Sequence, residues 1–220
     1  MHLSLENKDN PRFVCNLCYC CKSMMGTSLC SIKDRGCCYY YPKFTLFDIQ
    51  RMSHSQEGME VLKNILDNTG TRLYNYYIHA TGYFDQSGYD SYTKSKHQRI
   101  GSIHDDSIFF KACPFVVSGK GCSIPKEYRS YVCNFFLCNE ICEAAEGTPE
   151  FKRYIAERDN YVRWLNWENR SLEYMLMDKG MSLKDNLLES VEILKDIPIT
   201  VYDFPQLEDI ITGEDLKRGA

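Results

Sequence analysis

The chain has 220 residues, 12 of them cysteine, with a formal net charge of −4 and a pI near 5.8. A chain of this length buries a core of its own in one domain, or one domain with a helical appendage, so its cysteines are not needed to staple a miniature scaffold. The acidic balance excludes a general nucleic-acid binder, and no apolar run approaches the roughly 20 residues of a bilayer span.

The opening residues, MHLSLENKDNPRF, are polar and lack the apolar stretch of a secretory signal. The expected location is therefore the cytoplasm, where thiols stay reduced. Cysteines this numerous in a reducing compartment point to metal ligation over a disulfide framework. Residues 1–14 read as a polar lead-in. Residues 15–42 are cysteine-rich and loop-like, broken by Gly26, Gly36 and Pro42. Phe44, Leu46, Phe47 and Ile49 then open an apolar pattern, with Thr45 or Asp48 starting a short helix through Met52. Met59, Leu62, Ile65, Leu66, Leu73 and Tyr77 recur near helical spacing, which predicts helix over 56–79, split in two at Asn68-Thr69-Gly70.

Residues 80–107 are polar, weakly basic (Lys94, Lys96, His97, Arg99) and punctuated by Tyr and Gly; they fit a loop or a hairpin equally. Ser107 to Phe110 reads as a short strand leading to Cys113. Pro114, Gly119, Gly121 and Pro125 make the following stretch loop-rich, and Asn134 to Glu146 reads as a helix stopped at Gly147. Thr148-Pro149-Glu150 is a helix start: a capping hydroxyl, proline at the first helical position and an acid in the first turn. Gly180 suits the position just past that helix. Ser182 with Asp185 resembles a capping box for a last helix ending at Pro198, before a strand over 199–204.

The cysteines fall in two bursts. Cys15, Cys18, Cys20, Cys21, Cys30, Cys37 and Cys38 lie upstream; Cys113, Cys122, Cys133, Cys138 and Cys142 lie far downstream. Two bursts separated by a cysteine-free interval imply a meeting in space, and thiolates are soft ligands that select zinc, copper(I) or iron–sulfur clusters. A Cys-x2-Cys pair such as Cys15 and Cys18 lets two sulfurs reach one metal from a tight turn. Gly36 before Cys37 and Gly121 before Cys122 let the backbone approach a bulky cluster. The downstream spacing fits neither a zinc finger nor a compact ferredoxin run. The plainer reading, a buried free thiol, competes for Cys142 and for one member of each adjacent pair.

Residues 30–52, CSIKDRGCCYYYPKFTLFDIQRM, resemble the opening of the YkgJ family, the CxxCxxCC cysteine-cluster proteins described as zinc- or iron-chelating. Residues 113–138 resemble the family's second half: Cys-Pro-Phe, a Gly-Cys-x-Ile turn, Tyr-Arg, then Cys, an aromatic and Cys. The resemblance implies that Cys30, Cys37, Cys38, Cys113, Cys122, Cys133 and Cys138 are ligands, with an eighth among Cys15, Cys18, Cys20 and Cys21. It covers a minority of the chain. Six residues, where the family motif has two, separate Cys30 from Cys37. A flagellin lysine N-methylase resembles the family in its cysteine region, which implies protein modification as one activity, although no methyl-donor site can be carried over.

Other features are weaker. His104-Asp105-Asp106 pairs an imidazole with carboxylates, and its plainer reading is a solvated turn. Tyr74, Tyr76, Tyr77, Tyr83, Tyr89 and Tyr92 suit a peptide groove, or more plainly a half-buried layer. Trp164 and Trp167 read as packing between elements. Arg129 either neutralises cluster charge or lies at the surface. No phosphate-binding glycine loop, no G-x-S-x-G elbow and no radical-type Cys-x3-Cys-x2-Cys triplet occurs.

The sequence thus predicts a mainly α, loop-rich metal-binding fold with few short strands, its cysteine-cluster core covered by C-terminal helices. A cluster domain is expected over 1–147, with a helical, Tyr-rich insertion at about 53–107, and a helical extension over 148–220. The expected metal ligands are Cys15, Cys18, Cys21, Cys30, Cys37, Cys38, Cys113, Cys122, Cys133 and Cys138. They would hold a [4Fe-4S] cluster used in redox or protein-modification chemistry, with a protein or peptide as substrate or redox partner and neither nucleic acid nor membrane. The alternatives are a zinc-stabilised, non-catalytic protein-binding module and a metal delivery or assembly protein.

Overall fold

A computed structural model gives the fold of residues 2–6, 10–16, 23–95 and 103–211. It is mainly α, with short strands between the helices. In chain order the elements are β1 (His2–Glu6), β2 (Arg12–Cys15), β3 (Lys43–Thr45), α1 (Leu46–Ser53), α2 (Gln56–Asp67), β4 (Thr71–Leu73), β5 (Tyr77–Ala80) and β6 (Tyr83–Phe84). There follow α3 (Gln86–Lys94), β7 (Lys111–Ala112), β8 (Val116–Val117), β9 (Gly121–Cys122), α4 (Tyr131–Asn134), α5 (Asn139–Ala145), α6 (Pro149–Asp178), α7 (Leu187–Asp196) and β10 (Ile210–Ile211). The strands form small antiparallel sheets in the orders β10-β1-β2, β3-β5-β4, β6-β7 and β8-β9.

Helix α1 is the hub. It is short because its start is fixed by a capping box: the Asp48 N–H donates to Thr45 Oγ1 (3.3 Å) while Asp48 Oδ2 accepts from the Thr45 N–H (2.9 Å). The Asn169 side chain of α6 accepts the Leu46 N–H at 2.8 Å, satisfying a further first-turn donor. Seven of its residues are buried, and it packs on α2, α6 and α7. A buried helix normally carries apolar residues all round; α1 instead buries Asp48, Gln50 and Ser53, each with a bonded partner.

Helix α2 crosses α1 so closely that backbone nearly meets backbone. A Cβ on Gly58 would lie 2.2 Å from the Met52 carbonyl oxygen. Alanine is the better helix former by about 1 kcal/mol, yet Gly58→Ala is expected to lower stability by roughly 1–3 kcal/mol through overpacking. A denaturant midpoint at or above wild type would contradict this close approach.

Helix α6 starts where the sequence places it. Thr148 Oγ1 accepts the Phe151 N–H (3.2 Å), Pro149 is the first helical residue, and Gly180 closes the C-terminal end at φ 66°. Its 30 residues reach roughly 45 Å at 1.5 Å per residue. Thr148→Ala should cost about 1 kcal/mol, readable as a shift in the melting curve. Phe151, Tyr154, Tyr161, Leu165, Leu172 and Leu176 form its buried face. Trp164 packs edge-on to Phe47 (5.3 Å) as expected, but Trp167 is 67% exposed and joins no elements.

Several expected elements change. Part of the polar lead-in is a β-hairpin, β1 and β2, with Leu3 fully buried; a strand with one buried side reads as polar in composition. The region 71–79 is a hairpin, because Phe44, on a strand far upstream, pairs with Ile78 and sequence spacing does not register that partner. Residues 106–110 form a 3-10 turn, and the strand is confined to β7. The helix expected over 134–146 is confined to α5, and the one-turn α4 ends at Asn134, where that helix was to begin. The Ser182–Asp185 box forms (Asp185 N–H to Ser182 Oγ, 3.1 Å), but it closes a turn, and α7 starts later, after Asn186. Residues 199–204 pair in no strand; β10, further on, pairs with β1.

The undecided stretch after 80 contains β6 and α3, while Lys96, His97 and Arg99 lie outside the described residues. The expected boundary at 147 falls on a turn with Gly147 at φ 84°. The core runs across it, from Phe13, Phe44, Ile49 and Ile65 to Tyr161, Leu165 and Val191, and the segment 53–107 contributes Val61, Leu62, Ile65, Ile78 and Ala80 to it.

Candidate metal centre

One cysteine of the upstream burst, Cys38, meets the downstream stretch beside this core. Cys38 closes a turn from Arg35 (Cys38 N–H to Arg35 O, 3.2 Å), and its own carbonyl accepts the Cys113 N–H at 2.8 Å. One backbone hydrogen bond therefore ties the upstream loop to the downstream stretch. Phe115 anchors the next turn by packing edge-on to the buried Phe44 (6.1 Å). The β8–β9 hairpin then sets Cys122 opposite Val116, with Gly119 and Gly121 at φ 69° and 105°, backbone that a side chain would strain. Cys133 lies on α4, and the Ser130 hydroxyl reaches its sulfur at 3.7 Å. Phe13 on Phe135 (4.8 Å) fixes α4 to β2.

Cys38, Cys113, Cys122 and Cys133 lie within electrostatic reach of one another. Burial pushes the Cys113 thiol up to about 12, a Phe115 backbone hydrogen bond opposes it, and Cys38, Cys133 and Cys122 add to the rise. Burial also raises Cys122, against the pull of Arg129 and an Ile124 backbone hydrogen bond. Cys133 keeps an exposed face, yet enough protein surrounds its thiol that desolvation lifts it to about 11, opposed by Ser130. Cys38 moves the other way. A hydrogen bond with Cys37 brings it down to about 7, burial opposes, and Arg129 and Arg35 help. Burial and mutual repulsion thus favour the neutral thiol at Cys113, Cys122 and Cys133, and Cys38 is the one of the four that ionises most readily.

Arg129 is held by its Nε–H to the Ile124 carbonyl (2.9 Å), while its own carbonyl accepts from the Asn10 side chain (2.9 Å). Its guanidinium favours the ionised form of Cys38, Cys122 and Cys133 together.

The other expected ligands are less gathered. Cys30 is buried, with its sulfur beside the Ser28 hydroxyl (3.3 Å) and directed to the Ile32 carbonyl (3.6 Å). Cys37 is exposed and bonded to Cys38. Cys15 ends β2 opposite Leu3. Cys138 caps α5 and shares the Glu140 carboxylate with Ser23 and with the Met24 N–H (3.2 Å), so it too joins the two bursts. Cys142 lies one turn on and packs against the core, in keeping with a structural thiol. Cys18, Cys20 and Cys21 lie outside the described residues. Among the described residues, no three His, Cys, Asp or Glu side chains already stand close enough to hold an ion.

The tyrosines fall in two separate places. Tyr89 and Tyr92 pack on Phe110, each at 5.5 Å, in a small second core. Tyr74 and Tyr77 stack at 4.4 Å and, with Tyr76, Lys43, Asn169 and Glu173, line a cavity of about 670 Å³. In the His104-Asp105-Asp106 triplet, Asp105 accepts the Ser107 N–H (3.0 Å), a capping role at the turn the plainer reading anticipated.

One residue escaped sequence reasoning. Arg35, directly before Gly36-Cys37-Cys38, is the bulkiest fully buried side chain among the described residues. Burial pushes it below the usual arginine range, while Cys30, Cys38, Cys37 and Tyr39 pull the other way. An arginine two positions before a double cysteine was the available signal. No family model, no curated protein and no solved structure matches the chain. No helix of the described residues is long and apolar enough to cross a membrane.

Proposed function

We propose that the chain holds a thiolate-ligated metal centre of the [4Fe-4S] type, with Cys38, Cys113, Cys122 and Cys133 as its ligands. The observation that carries this reading is the backbone hydrogen bond from Cys113 N–H to the Cys38 carbonyl (2.8 Å), which joins segments far apart in sequence beside the turns that hold Cys122 and Cys133, with Arg129 near three of the four sulfurs. The donor set fits the group: thiolates alone favour soft metals, and an arginine beside them offsets the negative charge such a centre brings. The resemblance of residues 30–52 and 113–138 to the YkgJ family supports the same assignment. Cys30 and Cys37, which share Arg35 with Cys38, are the next candidate ligands. When bound, such a centre supplies electrons or an open iron site for redox or protein-modification chemistry on a protein or peptide partner.

Metal and acid-labile sulfide per chain, measured after purification without oxygen, test this reading. Iron and sulfide at about four each are expected for one cubane cluster. Zinc without sulfide would replace the reading by a second one, a zinc-stabilised protein-binding module. The groove lined by Tyr74, Tyr76 and Tyr77 beside Lys43 favours that alternative. Metal that leaves readily to a chelator would indicate delivery or assembly, and absence of any metal would refute all three.

A further inference from the structure

We propose that Arg35, whose carbonyl accepts the Cys38 N–H at 3.2 Å, is the positioning residue that supplies counter-charge on the Cys38 side of the thiolate centre; the inference rests on the metal-centre reading above. Arg35 is 2% exposed. Its Nη2 donates to the carbonyls of Thr27 (2.7 Å) and Ile108 (2.9 Å), and its Nη1 to those of Met25 (3.3 Å) and Gly36. Its face lies 5.5 Å from the centre of the Tyr39 ring.

All of those acceptors are neutral. No carboxylate pairs with Arg35 among the described residues; the groups in its electrostatic reach that can turn negative are the sulfurs of Cys30, Cys38 and Cys37 and the Tyr39 hydroxyl. Its Nε–H, buried as well, has no hydrogen-bond partner. A buried cation without an anion is costly, and a buried donor without an acceptor adds to the cost. Thiolates held on a metal relieve both at once: they place negative charge beside the guanidinium and offer sulfur as an acceptor. A purely structural staple would need the carbonyl bonds and nothing more. The unpaired charge and the orphaned Nε–H are what a staple leaves unexplained.

Arg35→Lys and Arg35→Met separate the two roles. Neither variant can span four carbonyls as the guanidinium does, but lysine keeps the charge. Each protein is purified without oxygen, its iron and zinc are counted, and the chelator concentration that removes half the metal is measured beside the melting of the stripped chain. Arg35→Lys should hold its metal within about threefold of wild type, and Arg35→Met should release it at a chelator concentration at least tenfold lower, although the stripped Arg35→Met chain, free of the unpaired charge, should melt no lower than stripped Arg35→Lys. Equal metal retention by the two variants, or equal loss, would overturn the counter-charge role and leave a staple.

If Arg35→Met fails to fold, the wild-type chain decides. On loading the stripped protein with zinc(II), the Arg35 Nε–H resonance should shift and exchange more slowly with solvent; an unchanged signal overturns the proposal. A wild-type chain that binds no metal at all refutes the metal-centre reading first and takes this inference with it, a result distinct from either of the others.

Discussion

Cys122→Ser and Cys133→Ser are expected to lose the bound metal and most of the soluble protein together. The two residues lie on different local supports, a two-strand hairpin for Cys122 and a one-turn helix for Cys133. Neither support is stable alone in water, since short hairpins and single helical turns do not meet their own ordering entropy. On the metal-centre proposal, ligation is part of what folds this end of the molecule. For structural zinc in small finger peptides that coupling amounts to about 10–16 kcal/mol. Serine keeps the size of cysteine but offers a hard, neutral oxygen that binds soft metals poorly. Metal per chain, soluble yield and melting temperature should all fall in both variants, while Cys142→Ser should keep its metal. Full metal content with unchanged melting in both would remove these cysteines from the site, and complete loss in Cys142→Ser would add that residue to it.

Asp48→Ala is expected to cost about 3–5 kcal/mol, the range for breaking a buried ion pair by removing one partner. The Asp48 side chain is 2% exposed and the Arg51 side chain 10%, with 3.1 Å between Oδ1 and Nη2. The substitution removes the α1 capping box and leaves the Arg51 guanidinium buried without its carboxylate. Arg51 Nη2 also reaches the Arg129 carbonyl at 3.4 Å, so the pair leads from the hub helix to the arginine beside the cysteines. Denaturant unfolding should show the loss, and adding Arg51→Met to Asp48→Ala should recover part of it, because the stranded charge is gone.

Burial pushes the Asp48 carboxyl above its ordinary value, with Arg51 and the Thr45 bonds opposing. A carboxyl raised by folding is protonated more readily in the folded chain. Its ionisation therefore costs stability as pH rises from the ordinary carboxylate range through the raised folded value. Asp48→Asn should abolish that part of the pH profile, and a profile identical to wild type would rule it out.

What could be read in advance follows from how local each signal is. The start of α6 was legible because Thr148, Pro149 and Gly180 are fixed by backbone chemistry within a few residues. The α1 cap was legible for the same reason. The 71–80 hairpin was not, since Leu66, Leu73 and Tyr77 keep a spacing compatible with helix, and the deciding partner, Phe44, lies on a strand far upstream. The pairing of β1 with β10 was hidden by still greater separation.

At the candidate centre, the cysteines and their two bursts raised the expectation of soft-metal chemistry, and four of the expected ligands share one neighbourhood. Sequence could not rank them, because ranking depends on where loops carry the sulfurs: Cys30 turns to its own loop carbonyl, while Cys38 is tied to Cys113. Arg35 passed unnoticed because nothing in a string distinguishes a buried arginine from a surface one.

The placement of the two tryptophans gives the molecule a built-in optical reporter. Trp164 lies among Phe47, Tyr161 and Tyr202, whereas Trp167, less than one turn further along α6, faces water. Their emission should separate accordingly: the Trp164 component bluer and less accessible to soluble quenchers, the Trp167 component redder and open to them. Removing Trp167 by substitution with phenylalanine leaves a single fluorophore seated where α6 meets α1, so loosening of that joint can be followed by colour of emission with no added label.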